Sequence, residues 1–176
     1  MISPDILGRA KKIKLLIMDT DGVMTDGRLV YSIYGDELKF FDVTDGFGVS
    51  LLRAAGIPSV IITAKKSRIV TLRARDMRVA KAYQGYLNKL IPFEDILKRF
   101  KITPEEICFI GDDLIDIPVL KRVGFAVAVH NAVAETRDAA HYVTSRTGGR
   151  GAVREVCDII LRSQDKWEMA AGKFTG

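Results

Sequence analysis

The chain has 176 residues, of which 48% are hydrophobic, and its formal net charge is +5. This length predicts a single domain over residues 1–176, and no apolar run approaches the ~20 residues that span a bilayer. The basic residues are scattered and charges interrupt the N-terminal segment. We therefore expect a cytoplasmic protein that binds neither nucleic acid nor membrane and acts on a small anionic molecule.

The first predicted strand ends at two acidic residues. Ser3 and Pro4 predict a short leading helix, and the apolar strand over residues 14–18 stops at Asp19 and Asp21. Ligands bind at the carboxyl ends of strands in open α/β sheets. A divalent cation with oxygen ligands would relieve the repulsion between the two acids. Calcium loops and ordinary turns share this pattern, so the pair alone does not define the chemistry.

Residues 28–41 predict a β-hairpin that projects from the domain. Apolar side chains alternate along its first arm at Leu29, Tyr31 and Ile33, and the predicted turn is at residues 34–36. The segment is too short to be a cap domain. Because a two-stranded ribbon is marginally stable alone, its apolar face packs either on another subunit or on the protein's own sheet. We favour another subunit, since the chain has no other obvious lid.

The rest of the chain alternates between helices and strands. Further elements are predicted over residues 45–55, 59–63, 66–76, 79–83, 88–100, 107–111, 113–122, 125–129, 132–140, 141–144 and 151–163. This order is typical of an α/β fold with a doubly wound, Rossmann-like parallel sheet.

A second acidic cluster follows the predicted strand over residues 107–111. Asp112 and Asp113 come directly after this strand, and Asp116 lies three residues further on. A parallel sheet can place this strand end beside the first one, which would complete the oxygen-rich site that Mg²⁺ prefers. Asp112 is the better metal ligand. Asp113 and Asp116 either cap the following helix or support the metal site.

Two further polar residues lie between the acidic clusters. Thr63 ends a predicted strand, and Lys89 follows the turn at residues 84–88. Taken singly, such a threonine is more often a helix cap or a strand residue, and such a lysine is usually solvated. Their order between two acidic strand ends makes them candidate phosphate ligands.

These separated residues resemble the four motifs of the haloacid dehalogenase (HAD) superfamily of phosphotransferases. The matching positions are Asp19-x-Asp21, Thr63, Lys89 and Asp112-Asp113. Within the superfamily the chain is similar to the 3-deoxy-D-manno-octulosonate 8-phosphate (KDO 8-phosphate) phosphatase family, through residues 19–27, 45–48, 84–89 and 148–155.

The resemblance implies a HAD-like fold without a cap domain and a Mg²⁺-dependent phosphomonoesterase of lipopolysaccharide biosynthesis. Asp19 would be the nucleophile that forms an aspartyl-phosphate, and Asp21 would act first as general acid and then as general base. Asp19, Asp112 and the backbone carbonyl of Asp21 would bind the metal. Thr63 and Lys89 would grip the phosphoryl oxygens.

The supporting acids and the sugar contacts also come from the resemblance. Asp113 would orient a metal-bound water, with Asp116 beside it. The residues implied to contact the sugar phosphate are Asp45, Gly46, Lys65 and Arg73. The glycine-rich loop at residues 148–151 is either a further anion contact or a plain turn.

Two departures from the family pattern concern the substrate. Lys65 and Ser50 stand where the family commonly has arginines, and lysine lacks the planar fork that binds an anion bidentately. The alternative substrate is therefore another acidic sugar phosphate, such as a nine-carbon sialic-type 9-phosphate. The resemblance also implies a homotetramer built through the hairpins. The tail at residues 164–176 would be either a mobile lid on a neighbouring site or a disordered end.

Two other classes of protein remain alternatives. A signalling receiver domain also holds Mg²⁺ around a phosphorylated aspartate, but it usually has its acid pair first and the phosphorylated residue later. A catalytically silent binding protein is the second alternative. The presence of every required side chain argues against it.

Overall fold

A six-stranded parallel sheet lies at the centre of the molecule. The computed structural model describes residues 2–34 and 37–175. The strands are β1 (Leu15–Met18), β2 (Val30–Tyr31), β3 (Glu37–Leu38), β4 (Ser59–Thr63), β5 (Lys81–Gln84), β6 (Ile107–Gly111), β7 (Phe125–Ala128) and β8 (Tyr142–Val143). The order in the large sheet is β5-β4-β1-β6-β7-β8. Every pair in it is parallel, so the predicted doubly wound sheet is confirmed.

Helices cover both faces of this sheet. They are α1 (Pro4–Ala10), α2 (Val43–Ala54), α3 (Arg68–Asp76), α4 (Leu90–Phe100), α5 (Ile117–Leu120), α6 (Ala134–Asp138), α7 (Ala152–Ser163) and α8 (Trp167–Thr175). One-turn 3-10 helices occur at Pro104–Glu106 and Leu114–Asp116.

The two hydrophobic cores explain why the strands are uniformly apolar. Along β1, Leu16 and Met18 pack into the core on the side of α1, α2, α3 and α7, whereas Leu15 and Ile17 pack into the core beneath α4 and α5. A strand covered on both faces has no solvent side, so it shows no alternation of polar residues.

The strand order creates a crevice beside β1, where the strands begin to be added on the other side of the sheet. β1 lies between β4 and β6, so the chain leaves β1 first toward one edge of the sheet and later returns on its other side. Such a switch point leaves an opening at the carboxyl ends of the neighbouring strands. Residues 19, 63 and 112 directly follow or end these three strands.

The predicted hairpin is present but short. β2 and β3 pair antiparallel through Val30 with Leu38 and Tyr31 with Glu37, in a separate two-stranded sheet. Its apolar side chains are exposed, with Ile33 at 93% relative accessibility. Gly35 and Asp36 of the predicted turn lie outside the described residues. The described part of the chain contains no cap domain.

The C-terminal tail is helical in the single chain, so it differs from the expected disordered end, whereas its role as a lid on a neighbouring site stays a prediction. Residues 167–175 form helix α8, which packs on α2 and α7 of the same chain. Ala170 is fully buried, and the Phe174 ring meets Phe47 of α2 edge to face at 5.0 Å between centroids. The helix places three side chains at helical spacing on one face, namely Trp167, Ala170 and Phe174. The sequence interpretation missed this spacing because it considered only the composition of the tail.

Both cysteines, Cys108 and Cys157, are buried free thiols. Among the described residues, no helix is long and apolar enough to cross a membrane.

Candidate active site

Asp19 lies buried at the carboxyl end of β1. Its backbone N–H donates to the carbonyl of Ile110 on β6, which extends the strand ladder to this residue. The side-chain Oδ1 accepts a hydrogen bond from the Thr20 N–H at 2.6 Å. The carbonyl of Thr20 then accepts the N–H groups of residues 23–25 in a tight turn. This turn fixes the position of Asp19 relative to the neighbouring strand end.

Lys89 connects the two acidic clusters. Its buried ammonium lies 2.9 Å from Asp19 Oδ2 and 2.6 Å from Asp116 Oδ1. Burial would lower the pKa of Lys89, but the two carboxylates outweigh burial and raise it. The side chain therefore stays cationic beside Asp19.

Asp116 is fully buried, and its carboxylate holds the backbone of the residues that follow β6. Its Oδ2 accepts the backbone N–H groups of Asp112 at 2.9 Å and Asp113 at 3.2 Å, while its Oδ1 accepts from Lys89. Asp113 is exposed, and it caps the short helix that follows by accepting from Leu114 N–H. The structure thus shows the capping role for both acids, and the predicted metal-bound water at Asp113 stays a prediction.

Asp112 points toward Asp19 from the end of β6. Burial, followed by the charges of Asp19 and Asp116, raises the pKa of Asp112 to about 8. The pKa of Asp19 rises to about 7, chiefly because it is buried and despite the opposing effect of Lys89. A buried and a half-buried acid, both with raised pKa values, indicate that a cation would stabilise this group.

The donor set of this cluster fits a hard divalent cation. One oxygen from each of Asp19, Asp112 and Asp116 lies within 4.8 Å of the others. Oδ1 of Asp112 is buried without a hydrogen-bond partner. Both oxygens of Asp116 accept hydrogen bonds, and both oxygens of Asp19 also have partners. The Oδ1 of Asp112, beside Asp19, is therefore the oxygen of this cluster that is open to Mg²⁺. Gly22 lies beside this pair, and its φ of +92° and the adjacent Asp112 carboxylate leave no room for a Cβ.

The carboxylate of Asp21 is not in this acidic group. Its Oδ1 forms an ion pair with Lys39, whose side chain is completely buried and also lies 2.9 Å from Glu37 Oε1. The sequence interpretation missed Lys39 and Glu37. The alternation of charged and apolar residues over residues 37–40 was the available indication, since it places Glu37 and Lys39 on one face of the arm.

Thr63 and Lys65 lie where the sequence places them, at the end of β4. Thr63 is buried, and its carbonyl accepts N–H groups of the turn that follows β5. The Lys65 ammonium bonds to the hydroxyl of Tyr31 on the hairpin and lies 3.7 Å from Glu37 Oε1. Lys65 therefore lies between the end of β4 and the hairpin.

Three of the predicted substrate contacts have other partners in the single chain. Asp45 is buried and accepts backbone N–H groups of Arg154 and Gly151, at 2.8 and 3.4 Å, so it anchors the start of α7. Arg73 donates to the Asp42 carbonyl at 2.9 Å, and a Cβ at Gly46 would lie 2.7 Å from its guanidinium. Gly46 thus makes room for Arg73. A direct role of these three residues with substrate stays a prediction.

The glycine-rich loop is built for close packing. A Cβ at Gly148 would overlap the Gly22 carbonyl, and the Gly149 N–H donates to Val23 at 2.9 Å. The loop thereby supports the turn that follows Asp19. This arrangement favours the structural role over a separate anion contact.

Comparisons with known proteins agree with this geometry. Residues 64–156 match the model of the haloacid dehalogenase-like hydrolases. The chain is 44% identical over 172 residues to the 3-deoxy-D-manno-octulosonate 8-phosphate phosphatase of Escherichia coli K12, which covers 98% of this chain and 92% of the relative.

Solved structures are equally similar. The Yersinia pestis 3-deoxy-D-manno-octulosonate 8-phosphate phosphatase is 45% identical with a TM-score of 0.94, over 95% of this chain and 90% of that one. The Moraxella catarrhalis phosphatase, solved with magnesium, phosphate and KDO, is 37% identical with a TM-score of 0.95, over 99% of this chain and 100% of that one. The chain belongs to the haloacid dehalogenase-like hydrolases, within the family of 3-deoxy-D-manno-octulosonate 8-phosphate phosphatases.

Proposed function

We propose that this enzyme hydrolyses KDO 8-phosphate to KDO and inorganic phosphate, a step of lipopolysaccharide biosynthesis. The observation that carries the proposal is the buried Asp19–Lys89–Asp112 arrangement at the switch point of a HAD-like sheet. Near full-length similarity to phosphatases of this specificity supports the substrate. The enzyme is a phosphomonoesterase with a divalent metal site.

Mg²⁺ would be held by Asp19, Asp112 and the backbone carbonyl of Asp21. When bound, it supplies charge neutralisation between the carboxylates and the phosphate dianion. The unpartnered Asp112 Oδ1 and the raised pKa values of Asp19 and Asp112 support this assignment.

The protein's own groups would carry out two in-line displacements. Asp19 attacks phosphorus and takes the phosphoryl group, while Asp21 gives a proton to the leaving sugar oxygen. Asp21 then takes a proton from the water that cleaves the aspartyl-phosphate. Lys89 and Thr63 hold the transferring oxygens. Lys89 also lowers the pKa of Asp19 against the larger effect of burial, and so favours the ionised, nucleophilic form.

The sugar end of the substrate would lie toward Lys65 and Arg73. Lys65 lies beside the hairpin, and its side chain is 42% exposed, so it can meet an anionic substituent. We further propose a cytoplasmic homotetramer. The exposed apolar side chains of the hairpin support the assembly, since neighbouring subunits could then close a site that has no cap domain.

Phosphate release from a panel of sugar phosphates tests the function. We expect the highest kcat/KM with KDO 8-phosphate, and complete loss of turnover when a chelator removes divalent cations. Better turnover of a nine-carbon acidic sugar 9-phosphate would move the specificity to that substrate. No release from any member of the panel would favour a phospho-receiver or a silent binding protein.

A further inference from the structure

We infer that Lys39 of the hairpin is the residue that positions the carboxylate of Asp21 for proton transfer. This inference rests on the proposed function, because it concerns the group proposed as general acid and base. It adds a residue that lies outside the motifs of the catalytic site and belongs to a segment proposed only for assembly.

The burial of Lys39 is the first observation. Its side chain has 0% relative accessibility, although the neighbouring Leu38 and Phe40 are 56% and 66% exposed. A lysine on a surface hairpin normally keeps its ammonium in water. Successive side chains of this arm point to opposite faces, so Lys39 lies on the buried face while Leu38 and Phe40 lie on the exposed face.

The partners of Lys39 are the second observation. Its ammonium contacts Asp21 Oδ1, and it lies 2.9 Å from Glu37 Oε1. Two carboxylates raise the pKa of Lys39 against the effect of burial, so the ammonium is charged. An ion pair that is largely shielded from water holds its members in a narrower range of positions than an exposed one.

The anchoring of Glu37 is the third observation. Ser67 Oγ donates to Glu37 Oε2 at 2.8 Å, and the Ser67 N–H donates to Gln84 Oε1 at 2.8 Å. Gln84 is the last residue of β5. A continuous set of polar contacts thus leads from the central sheet through Ser67 and Glu37 to Lys39 and Asp21.

This set of contacts fixes the position of the Asp21 carboxylate relative to the central sheet. Asp21 lies in the turn after β1, its side chain is 27% exposed, and its carboxylate contacts Lys39. A general acid must lie within hydrogen-bond reach of the leaving oxygen, and a misplacement of about 1 Å is costly. Lys39 therefore acts through Asp21 and does not itself touch the reacting atoms.

The test compares two leaving groups. Expulsion of a sugar alkoxide needs the proton from Asp21, whereas p-nitrophenolate leaves without it. We expect Lys39→Met, which keeps the length of the side chain, to lower kcat/KM for KDO 8-phosphate by about tenfold or more, because general acid catalysis contributes ~10²–10⁴. With p-nitrophenyl phosphate as substrate, the kcat/KM of the same variant should fall by less than about threefold.

A double-mutant cycle with Asp21→Asn shows whether Lys39 affects catalysis through Asp21. If Lys39 acts through Asp21, then Lys39→Met introduced into the Asp21→Asn enzyme should change kcat/KM for KDO 8-phosphate by less than about twofold. Lys39→Arg, which keeps the charge, should recover the wild-type ratio between the two substrates to within about threefold.

Lys14→Met is the matched control. Lys14 adjoins β1 at the other end of the strand, is 65% exposed and pairs with Glu106 at 2.6 Å. This variant should leave both activities unchanged. Thermal unfolding and light scattering of each variant show whether the fold and the assembly are retained.

The outcomes separate the inference from the function on which it rests. Two results overturn the inference alone, provided that the wild-type enzyme turns over KDO 8-phosphate. The first is an equal loss of kcat/KM on both substrates in Lys39→Met. The second is a full additional loss of kcat/KM when Lys39→Met is introduced into the Asp21→Asn enzyme. Absence of wild-type turnover on both substrates overturns the proposed function and the inference together. A selective loss on the sugar phosphate that disappears in the Asp21→Asn enzyme supports both.

Discussion

Asp112 shows how burial creates a need for a cation. Its carboxylate lies beside Asp19 and Asp116, with one oxygen that has no hydrogen-bond partner. The single positive charge of Lys89, whose ammonium contacts Asp19 and Asp116, cannot neutralise three carboxylates. The residual negative charge is the physical basis of the metal site.

The pKa of Asp112 leads to a prediction about stability. Because its pKa in the folded protein is about 8, above its ordinary value of 3.8, the folded state binds more protons than the unfolded state between these values. The metal-free protein should therefore lose stability as the pH rises from about 4 to about 8. Mg²⁺ binds the ionised form, so it should raise the Tm much more near pH 8 than near pH 5.

Thermal unfolding with and without MgCl₂ at these two pH values makes this measurement. Asp112→Asn is the informative variant, because the amide keeps the volume but carries no charge. Its metal-free Tm should vary less with pH, and Mg²⁺ should raise it little. An equal effect of Mg²⁺ on the Tm at both pH values would contradict the assignment of this site.

The sequence predicts the site residues unevenly. Asp19, Thr63 and Asp112 could be placed because each directly follows or ends an apolar strand, and parallel strands bring these ends together. Lys39 could not be placed, since its burial depends on how a short hairpin folds over the site. The roles of Asp45 as an anchor of α7 and of Gly46 as space for Arg73 depend likewise on distant packing.

Among the elements, the sheet could be predicted and the C-terminal helix could not. Strands covered on both faces are continuous apolar runs bounded by glycine and acids, which makes them evident. Helix α8 depends on three apolar residues in a polar segment, and its stability comes from packing on α2 and α7. Local composition does not contain that information.

Deletion of residues 165–176 tests whether α8 is part of the folded core. The Trp167 ring lies 4.1 Å from the Arg162 guanidinium, and Ala170 is fully buried. Loss of these contacts should lower the free energy of unfolding by about 2 kcal/mol, as measured by urea denaturation. Met169→Ala, at a side chain that is 47% exposed, should change it little. Unchanged stability of the truncated chain would contradict the packing of α8 described above.

At the scale of the whole molecule, the hairpin carries the most exposed apolar surface near the site. Ile33, Tyr34 and Phe40 are 93%, 84% and 66% exposed. Single exposed apolar residues are ordinary, whereas several on one ribbon are typical of an interface. Lys39 connects the same ribbon to Asp21, so the segment proposed for assembly also contacts the proposed general acid.

Charged residues on the hairpin should therefore break the assembly and weaken catalysis together. We expect Ile33→Glu with Phe40→Glu to convert a tetramer to smaller species in light scattering at micromolar concentration, and to lower kcat/KM in the same samples. Leu72→Glu, on the exposed face of α3 and 50% accessible, is the control that should remain assembled and active. A wild-type monomer with full activity would rule out both the tetramer and the shared closure of the site.

Three strand ends form one phosphatase site, and Asp19 is the residue proposed to carry the phosphoryl group. Intact-mass measurement of the Asp21→Asn enzyme, after exposure to p-nitrophenyl phosphate and Mg²⁺, tests this assignment most directly, because the nucleophile remains while the base for hydrolysis is lost. We predict one added phosphoryl group, mapped by peptide analysis to Asp19 and absent from the Asp19→Asn enzyme. A phosphoryl group on any other residue, or substantial turnover by Asp19→Asn, would contradict the account.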